Sequence, residues 1–212
     1  MTNQIYNFCQ QQVEILNTQK HQRELIIGAG RKVLMAGKSA IFAIHDNDQK
    51  LAEQKIAEAL TIAKEIEKKI KKVEILVADG SWQASIEELA EAYLFNLTVN
   101  NKPLKNLPLK SIQAYAYLGA MADVSGELVR YAVLRATEGN VKAVEDCCDQ
   151  AKEIIKGLTS AYLSGPLRQK CDDAKRNIKR LEQIRYELSL NSYRAKANAS
   201  DQPSAGKVSK TK

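Results

Sequence analysis

The sequence predicts an all-α, single-domain protein, and three features of the chain indicate this. Runs that alternate Val, Ile or Thr with polar residues, which are typical of strands, are nearly absent. Apolar residues recur instead at helical spacing over long stretches, with only 10 glycines and 4 prolines in 212 residues. Hydrophobic residues make up 44 % and charged residues 27 %, which fits a globular rather than a disordered chain. We therefore expect one antiparallel bundle of about six or seven helices over residues 1–194.

The first predicted helix runs from about Asn3 to His45, either unbroken or as two nearly continuous pieces. Its points of possible kinking are Gly28, Gly30 and Gly37, because glycine weakens a helix interior. A turn follows, in which Asp48 can cap the next helix. That second helix is predicted over Gln49–Val77 from its apolar spacing.

A break at residues 79–81 separates the second helix from a third, which we place from Ser85 onward. Ser85 and Glu88 are three positions apart and fit a capping box. In one interpretation Glu88 serves only that cap, whereas Glu91 has no such role. Both glutamates lie on the side of this helix opposite its main apolar face.

The central helix is predicted from Leu109 to Thr137, after a loop that contains two prolines. Asp123 and Glu127 are four positions apart and stack on one face, where Arg130 follows them. Small or apolar residues continue that face and also fill the opposite one, so the helix should be buried on both sides. Burying unpaired charge is costly, which leaves two interpretations: a structural salt-bridge network or a metal site.

The last two helices are predicted over about 140–162 and 166–194, with Pro166 in the first turn of the second one. Residues 195–212 are mostly Ala, Ser, Lys, Gly and Pro and predict a disordered basic tail. This tail carries four lysines against one aspartate, so it accounts for +3 of the net charge of +7 and leaves +4 on the body. A mild basic bias is compatible with nucleic acid but not diagnostic of it.

Cysteine and histidine usage argues against a zinc site and against a disulfide scaffold. The four cysteines show no CxxC spacing, and two histidines are too few to complete a zinc site with them. We expect reduced thiols and a cytoplasmic protein. The first residues lack the features of a signal peptide, and no apolar run approaches the ~18 residues of a membrane span.

Four segments together resemble the translin superfamily. Residues 117–130, YLGAMADVSGELVR, are similar to its signature helix, which contains D-x-x-G-E-L-x-R. Residues 31–45, RKVLMAGKSAIFAIH, are similar to a segment with an arginine, a lysine seven residues on and an I-F-x-x-H ending. Residues 87–96, EELAEAYLFN, match a segment that supplies an E-x-x-E pair, and residues 186–194, YELSLNSYR, match the family's ending. The resemblance covers nearly everything from Arg23 to Arg194.

Within the superfamily the chain looks like the catalytic branch of translin-associated factor X, in a prokaryotic single-gene form. The resemblance implies that Glu88, Glu91, Asp123 and Glu127 form a catalytic cluster that binds Mg²⁺ or Mn²⁺. Carboxylates suit this role because Mg²⁺ prefers oxygen ligands, and the bound ion can activate water against a phosphodiester. The function that this implies is a metal-dependent endoribonuclease that acts on single-stranded or small RNA.

Basic residues near these motifs are candidate contacts to nucleic acid. We expect Arg31 and Lys38 to bind RNA phosphates, although exposed lysines and arginines are also common on solvated helix faces. Arg130 either contacts a phosphate or holds the carboxylates in place. His45, at the end of an apolar helix, is expected to be a structural residue rather than a catalytic base.

The resemblance also implies assembly into a closed homo-oligomer, most simply an octamer, with the acidic clusters around an inner chamber. The last helix agrees with this, since apolar residues occur on more than one of its sides. Two other classes remain open: a non-catalytic scaffold that binds single-stranded RNA or DNA, as translin does, and a plain structural bundle.

Overall fold

The structure, a computed structural model, describes residues 2–200, with side chains described for residues 3–191. Within that range the chain forms seven helices and no strand, which confirms the all-α prediction. In chain order they are α1 (Thr2–His45), α2 (Gln49–Lys69), α3 (Val73–Ala78), α4 (Gly80–Val99), α5 (Ala114–Thr137), α6 (Val141–Leu158) and α7 (Gly165–Ser200). None of the described helices has the combination of length and apolarity needed to span a membrane.

The central helices are α4 and α5. Helix α1 packs on α2 and α4, α4 packs on α5, and α5 packs in turn on α6 and α7. Helix α4 is buried on several sides, with Trp82, Leu89 and Phe95 all inaccessible to solvent. Residues on α4 and α5 are therefore held in the middle of the bundle, where a polar side chain needs a partner.

Helix α1 is continuous, and only its second half packs on the rest of the chain. The side chains of residues 3–21 are all exposed, whereas Ile26 and Val33 are fully buried. Gly30 and Gly37 are places of close approach rather than kinks. A Cβ atom at Gly37 would lie 3.2 Å from Cγ of Glu88, and one at Gly30 would lie 2.9 Å from Oγ of Ser85.

The prediction of the second helix, Gln49–Val77, is wrong at its C-terminal end. Helix α2 ends at Lys69, its cap Ile70 donates its N–H to the carbonyl of Ile66, and α3 follows as a separate six-residue helix. The break brings Leu76 into the core, where its carbonyl accepts a hydrogen bond from Gln83 Nε2. Ile70 precedes the break and Leu76 follows it, and both side chains are buried. The bend therefore allows apolar side chains on both sides of the break to reach the core.

The capping box predicted at Ser85 is also wrong, because α4 begins five residues earlier. Asp79 is the cap, and its Oδ1 accepts from the backbone N–H of Trp82 at 2.9 Å. Ser85 is buried inside the helix, where its hydroxyl donates to the carbonyl of Ser81 at 2.8 Å. Glu88 therefore has no capping role.

Helix α5 begins at Ala114 rather than at the predicted Leu109. Oε1 of Glu67 accepts from the backbone N–H groups of Lys110 and Ser111, at 2.7 Å in each case. The hydroxyl of Ser111 accepts from Trp82 Nε1 at 3.1 Å. The backbone of residues 110–111 is thus bonded to α2, and the Ser111 side chain is bonded to α4. Because these N–H groups are used outside the helix, the segment does not join α5.

The C-terminal boundaries differ from the prediction as well. Helix α6 ends at Leu158, and α7 starts at Gly165, whose φ of 57° favours glycine. Helix α7 continues to Ser200, beyond the predicted end at Arg194, and residues 195–199 are rich in the good helix formers Ala and Lys. The first six residues of the predicted disordered tail are thus helical, and its remainder, residues 201–212, lies outside the described residues.

Candidate active site

The four predicted carboxylates lie in one cluster between α4 and α5. Glu88 and Glu91 come from α4, Asp123 and Glu127 come from α5, and all four side chains are partly buried. The pKa of Glu91 is raised from 4.5 to about 8, first by burial and then by the negative charges of Asp123, Glu88 and Glu127. Such mutual repulsion requires proximity, so the structure brings the predicted acidic residues together.

Glu88 lies at the crossing of α1 and α4. Its pKa is raised by burial, opposed by the positive charge of Lys38, and raised further by Glu127 and Asp123. The absence of a side chain at Gly37 permits the close crossing, and Lys38 is the next residue on α1. One of the three predicted basic residues thus lies beside the carboxylate cluster.

Lys170 joins the cluster from α7. Its Nζ donates to Glu87 Oε1 at 2.6 Å and also forms a short ion pair with Asp123 Oδ2. Burial raises the pKa of Asp123, and the bond from Lys170 opposes that rise. Sequence reasoning missed both Glu87 and Lys170. Glu87 is adjacent to the E-x-x-E pair, but no local pattern distinguishes Lys170.

His45, the last residue of α1, contacts Glu127. Its Nε2 lies 2.5 Å from Glu127 Oε2, and its side chain is almost fully buried. The ring packs against Phe95 and Tyr131, with centroid distances of 5.2 and 6.2 Å. Nδ1 of His45 has no hydrogen-bond partner among the described residues. The histidine is thus well packed, but it also fixes a carboxylate of the cluster.

All three basic candidates are exposed on the surface. Arg31 and Lys38 are exposed and lie two turns apart along α1. Arg130 is exposed, with its guanidinium carbon 4.9 Å from the centre of the Phe42 ring. Phe42 itself is 55 % exposed, so the side of α1 that carries Arg31 and Lys38 ends in an accessible aromatic ring.

The chemistry of the cluster suits a hard divalent cation. Carboxylate oxygens are the preferred ligands of Mg²⁺, and the ammonium group of Lys170 already acts as a stand-in cation for Asp123. Five carboxylates meet two ammonium groups here, which leaves three negative charges when all are ionised: Glu87, Glu88, Glu91, Asp123 and Glu127 against Lys38 and Lys170.

The side chains are nevertheless not arranged as a closed metal site. Over residues 3–191, no three His, Cys, Asp or Glu side chains converge closely enough to share one ion. Asp123 is directed to Lys170 and Glu127 to His45, which accounts for this spread.

Comparison with known proteins places the chain among helical proteins of one family. The sequence profile of the Translin family matches residues 21–192. Among solved structures, the fold is similar to AfC3PO in complex with duplex RNA, at a TM-score of 0.73 and 22 % identity over 86 % of this chain and 95 % of that one. Apo-NeC3PO is similar at a TM-score of 0.76 and 19 % identity, covering 84 % of this chain and 96 % of that one. The crystal structure of AfC3PO is similar at a TM-score of 0.74 and 24 % identity, covering 86 % of this chain and 96 % of that one. No curated protein matches the sequence.

Proposed function

The chain belongs to the Translin family, and we propose that it is a metal-dependent endoribonuclease that cleaves single-stranded or small RNA. The observation that carries this proposal is the excess of carboxylates over ammonium groups in the partly buried cluster. Ionising Glu91 among Asp123, Glu88 and Glu127 is unfavourable unless a cation offsets the charge. A divalent cation would offset this repulsion and allow all of the carboxylates to ionise together.

In this proposal Glu88, Glu91, Asp123 and Glu127 hold Mg²⁺ or Mn²⁺. The bound ion supplies a Lewis acid and lowers the pKa of a coordinated water. The protein places two of the carboxylates on α4 and two on α5, helices whose packing fixes their spacing. His45 orients Glu127.

The exposed side of α1 supports RNA as the substrate. Arg31, Lys38 and Arg130 offer positive charge to phosphates, and Phe42 offers a ring on which a base can stack. Lys38 is close to Glu88, so a strand bound along this side would pass the carboxylates. The fold is shared with AfC3PO, which was solved with duplex RNA.

We also propose a closed homo-oligomer, an octamer by family resemblance. Large apolar side chains along the free half of α1 support association with another copy, since monomers seldom expose such continuous surfaces. They are Ile5, Tyr6, Phe8, Val13, Ile15 and Leu16, each 46–68 % exposed. In contrast, Leu181, Ile184 and Leu188 of α7 pack against the core of their own chain.

A specific observation favours one alternative, a scaffold that binds RNA or single-stranded DNA without cutting it. Asp123 is already paired with Lys170 and Glu127 is already in contact with His45, and the described carboxylates do not converge. Such a protein would keep the basic side of α1 and use the acidic cluster only to join helices.

Cleavage of labelled single-stranded RNA oligonucleotides with Mg²⁺, Mn²⁺, Ca²⁺ or EDTA separates the two. We expect cleavage with Mg²⁺ or Mn²⁺, and none with EDTA. Asp123→Asn and Glu91→Gln should abolish cleavage while RNA binding in a filter assay persists. Glu145→Gln, at an exposed position on α6, is the matched control and should cut at the wild-type rate. Binding without cleavage under every metal condition would establish the scaffold instead.

A further inference from the structure

We propose that Lys170 is an internal counter-cation that competes with the metal for Asp123, and that Glu87 holds this lysine when the metal is bound. The inference rests on the proposed function and adds two residues to it. Lys170 Nζ is shared between Glu87 on α4 and Asp123 on α5. It is the one described lysine that bonds directly to a carboxylate of the predicted metal-binding set.

The position of Lys170 makes competition unavoidable. Lys170 donates to Oδ2 of Asp123, and a divalent ion bound to Asp123 would place a second positive charge against the same carboxylate. The Lys170 ammonium group and the divalent ion would then lie close together, and two positive charges at such a short distance repel each other strongly. The side chain of Lys170 is 33 % exposed and flexible enough to move, so the lysine rather than the helix backbone should yield.

Glu87 is placed to receive the displaced lysine. It binds Lys170 at 2.6 Å but does not belong to the E-x-x-E pair, so a metal held by that pair leaves Glu87 available. Gly119 makes this position possible, because a Cβ atom there would overlap the Glu87 carboxylate. A glycine facing an acidic side chain in the second turn of α5 thus has a specific consequence for where Lys170 is held.

Competition by Lys170 and retention of Lys170 by Glu87 predict opposite changes in metal affinity when the two residues are replaced in turn. Without the lysine, Asp123 is free and its charge is unopposed, so metal should bind more tightly. Without the charge on Glu87, the displaced lysine has no carboxylate of its own and continues to compete for Asp123, so metal should bind more weakly. A lysine that only joins helices would affect stability but would not give this pair of opposite shifts.

The experiment is a Mn²⁺ titration of the full chain, followed by electron paramagnetic resonance, with no substrate present. We expect Lys170→Met to lower the Kd for Mn²⁺ by at least about tenfold, and Glu87→Gln to raise it several-fold. Lys170→Arg, which keeps the charge, should remain close to wild type. The matched control is Lys175→Met, which removes an exposed lysine on α7 that pairs only with Asp172 on its own helix.

Unchanged or weaker Mn²⁺ binding by Lys170→Met, in a variant whose helical circular dichroism matches wild type, would overturn the inference. If Lys170→Met does not fold, the Mn²⁺ affinity of Glu87→Gln becomes the deciding measurement. An affinity equal to that of the wild type then rejects the inference. A different result tests the proposed function: wild-type protein that does not bind Mn²⁺, or binding that Asp123→Asn leaves unaltered, would remove the metal site itself. Failure of the inference alone leaves wild-type binding and the effect of Asp123→Asn intact.

Discussion

His45 Nε2 and Glu127 Oε2 lie 2.5 Å apart, so the last residue of α1 fixes a carboxylate on α5, 82 positions away in sequence. The imidazole is held on its other sides by Phe95 and Tyr131, and the His45 carbonyl accepts from Arg135 Nη2 at 3.1 Å. A ring confined in this way restricts the orientations open to Glu127. His45 is therefore a positioning residue for the cluster.

Replacing His45 separates packing from this positioning role. His45→Phe keeps an aromatic ring but leaves Glu127 without its buried partner, so we expect the free energy of unfolding to fall by about 1.5–3 kcal/mol. His45→Gln retains a side-chain N–H and should recover part of the loss. Urea unfolding in EDTA measures the stability, and a Mn²⁺ titration of both variants measures the positioning. Equal stability and equal Mn²⁺ affinity of His45→Phe and wild type would contradict the assignment.

Glu91 should make the metal-free protein less stable as the pH rises. Its pKa is raised from 4.5 to about 8 by burial and by Asp123, Glu88 and Glu127, against the opposing charge of Lys170. Between these two values the unfolded chain has lost the Glu91 proton and the folded chain has kept it. The contribution of Glu91 to the free energy of unfolding therefore declines from about pH 4.5 to about pH 8.

Glu91→Gln removes that contribution. We expect the variant to exceed wild type in unfolding free energy at pH 8 by at least about 1 kcal/mol, with little difference at pH 4.5. Chemical unfolding in EDTA at a series of pH values measures this. Parallel stability curves for the two proteins would show that Glu91 is not buried among like charges.

Gly119 and Gly126 provide a matched pair on α5. Replacing a helical glycine by alanine normally gains up to about 1 kcal/mol. At Gly126 a Cβ atom would meet only Asn177 Nδ2 at 3.5 Å, an ordinary contact, so the gain should appear. At Gly119 the Cβ atom displaces the Glu87 carboxylate from Lys170.

We therefore expect Gly119→Ala to be less stable than Gly126→Ala by about 1–3 kcal/mol, the scale of a hydrogen bond to a charged group. Thermal or urea unfolding of both variants gives this difference. If both substitutions stabilise the protein equally, the Glu87 side chain does not depend on the space at Gly119.

RNA affinity should depend steeply on salt, since phosphate contacts release counterions. Each lost contact to a single strand reduces the slope of log K against log salt by about 0.7. We expect Arg31→Ala and Lys38→Ala each to produce such a change in a filter-binding series from low to high salt. Lys156→Ala, on the exposed surface of α6, should leave the slope unchanged. An affinity that does not vary with salt would exclude an electrostatic strip on α1.

Association should depend on the free half of α1. We expect light scattering or native mass spectrometry of the whole chain to show one species well above the 23.6 kDa monomer, and deletion of residues 2–21 to reduce its size. Leu188 of α7 is a poor probe of assembly, because its side chain packs against the core of its own chain. A truncated protein of unaltered size would assign assembly to another surface.

Local sequence patterns predicted the helices well, and they failed where a distant residue or a competing cap decides the boundary. The start of α5 depends on Glu67 of α2, which binds Lys110 and Ser111 more than 40 positions away. The start of α4 depends on a choice between two suitable caps, and Asp79 is used rather than Ser85.

The candidate site also contains residues that the sequence predicted and residues that it could not predict. Its carboxylates follow from the spacing of residues within single helices and from the family motifs. Lys170 could not be found in this way, because its approach to Asp123 depends on how α7 packs on α5. The role of His45 depends in the same manner on the position of α1 against α5.

These contacts join residues that are widely separated along the chain, so their members are synthesised at different times. Glu87, Glu91 and Asp123 leave the ribosome long before Lys170, which lies in the second turn of the last helix. A nascent chain that has completed α5 therefore carries the acidic residues without their lysine partner. Docking of α7 both closes the bundle and neutralises part of that charge, so the final helix should be attracted to its place by the cluster that it completes.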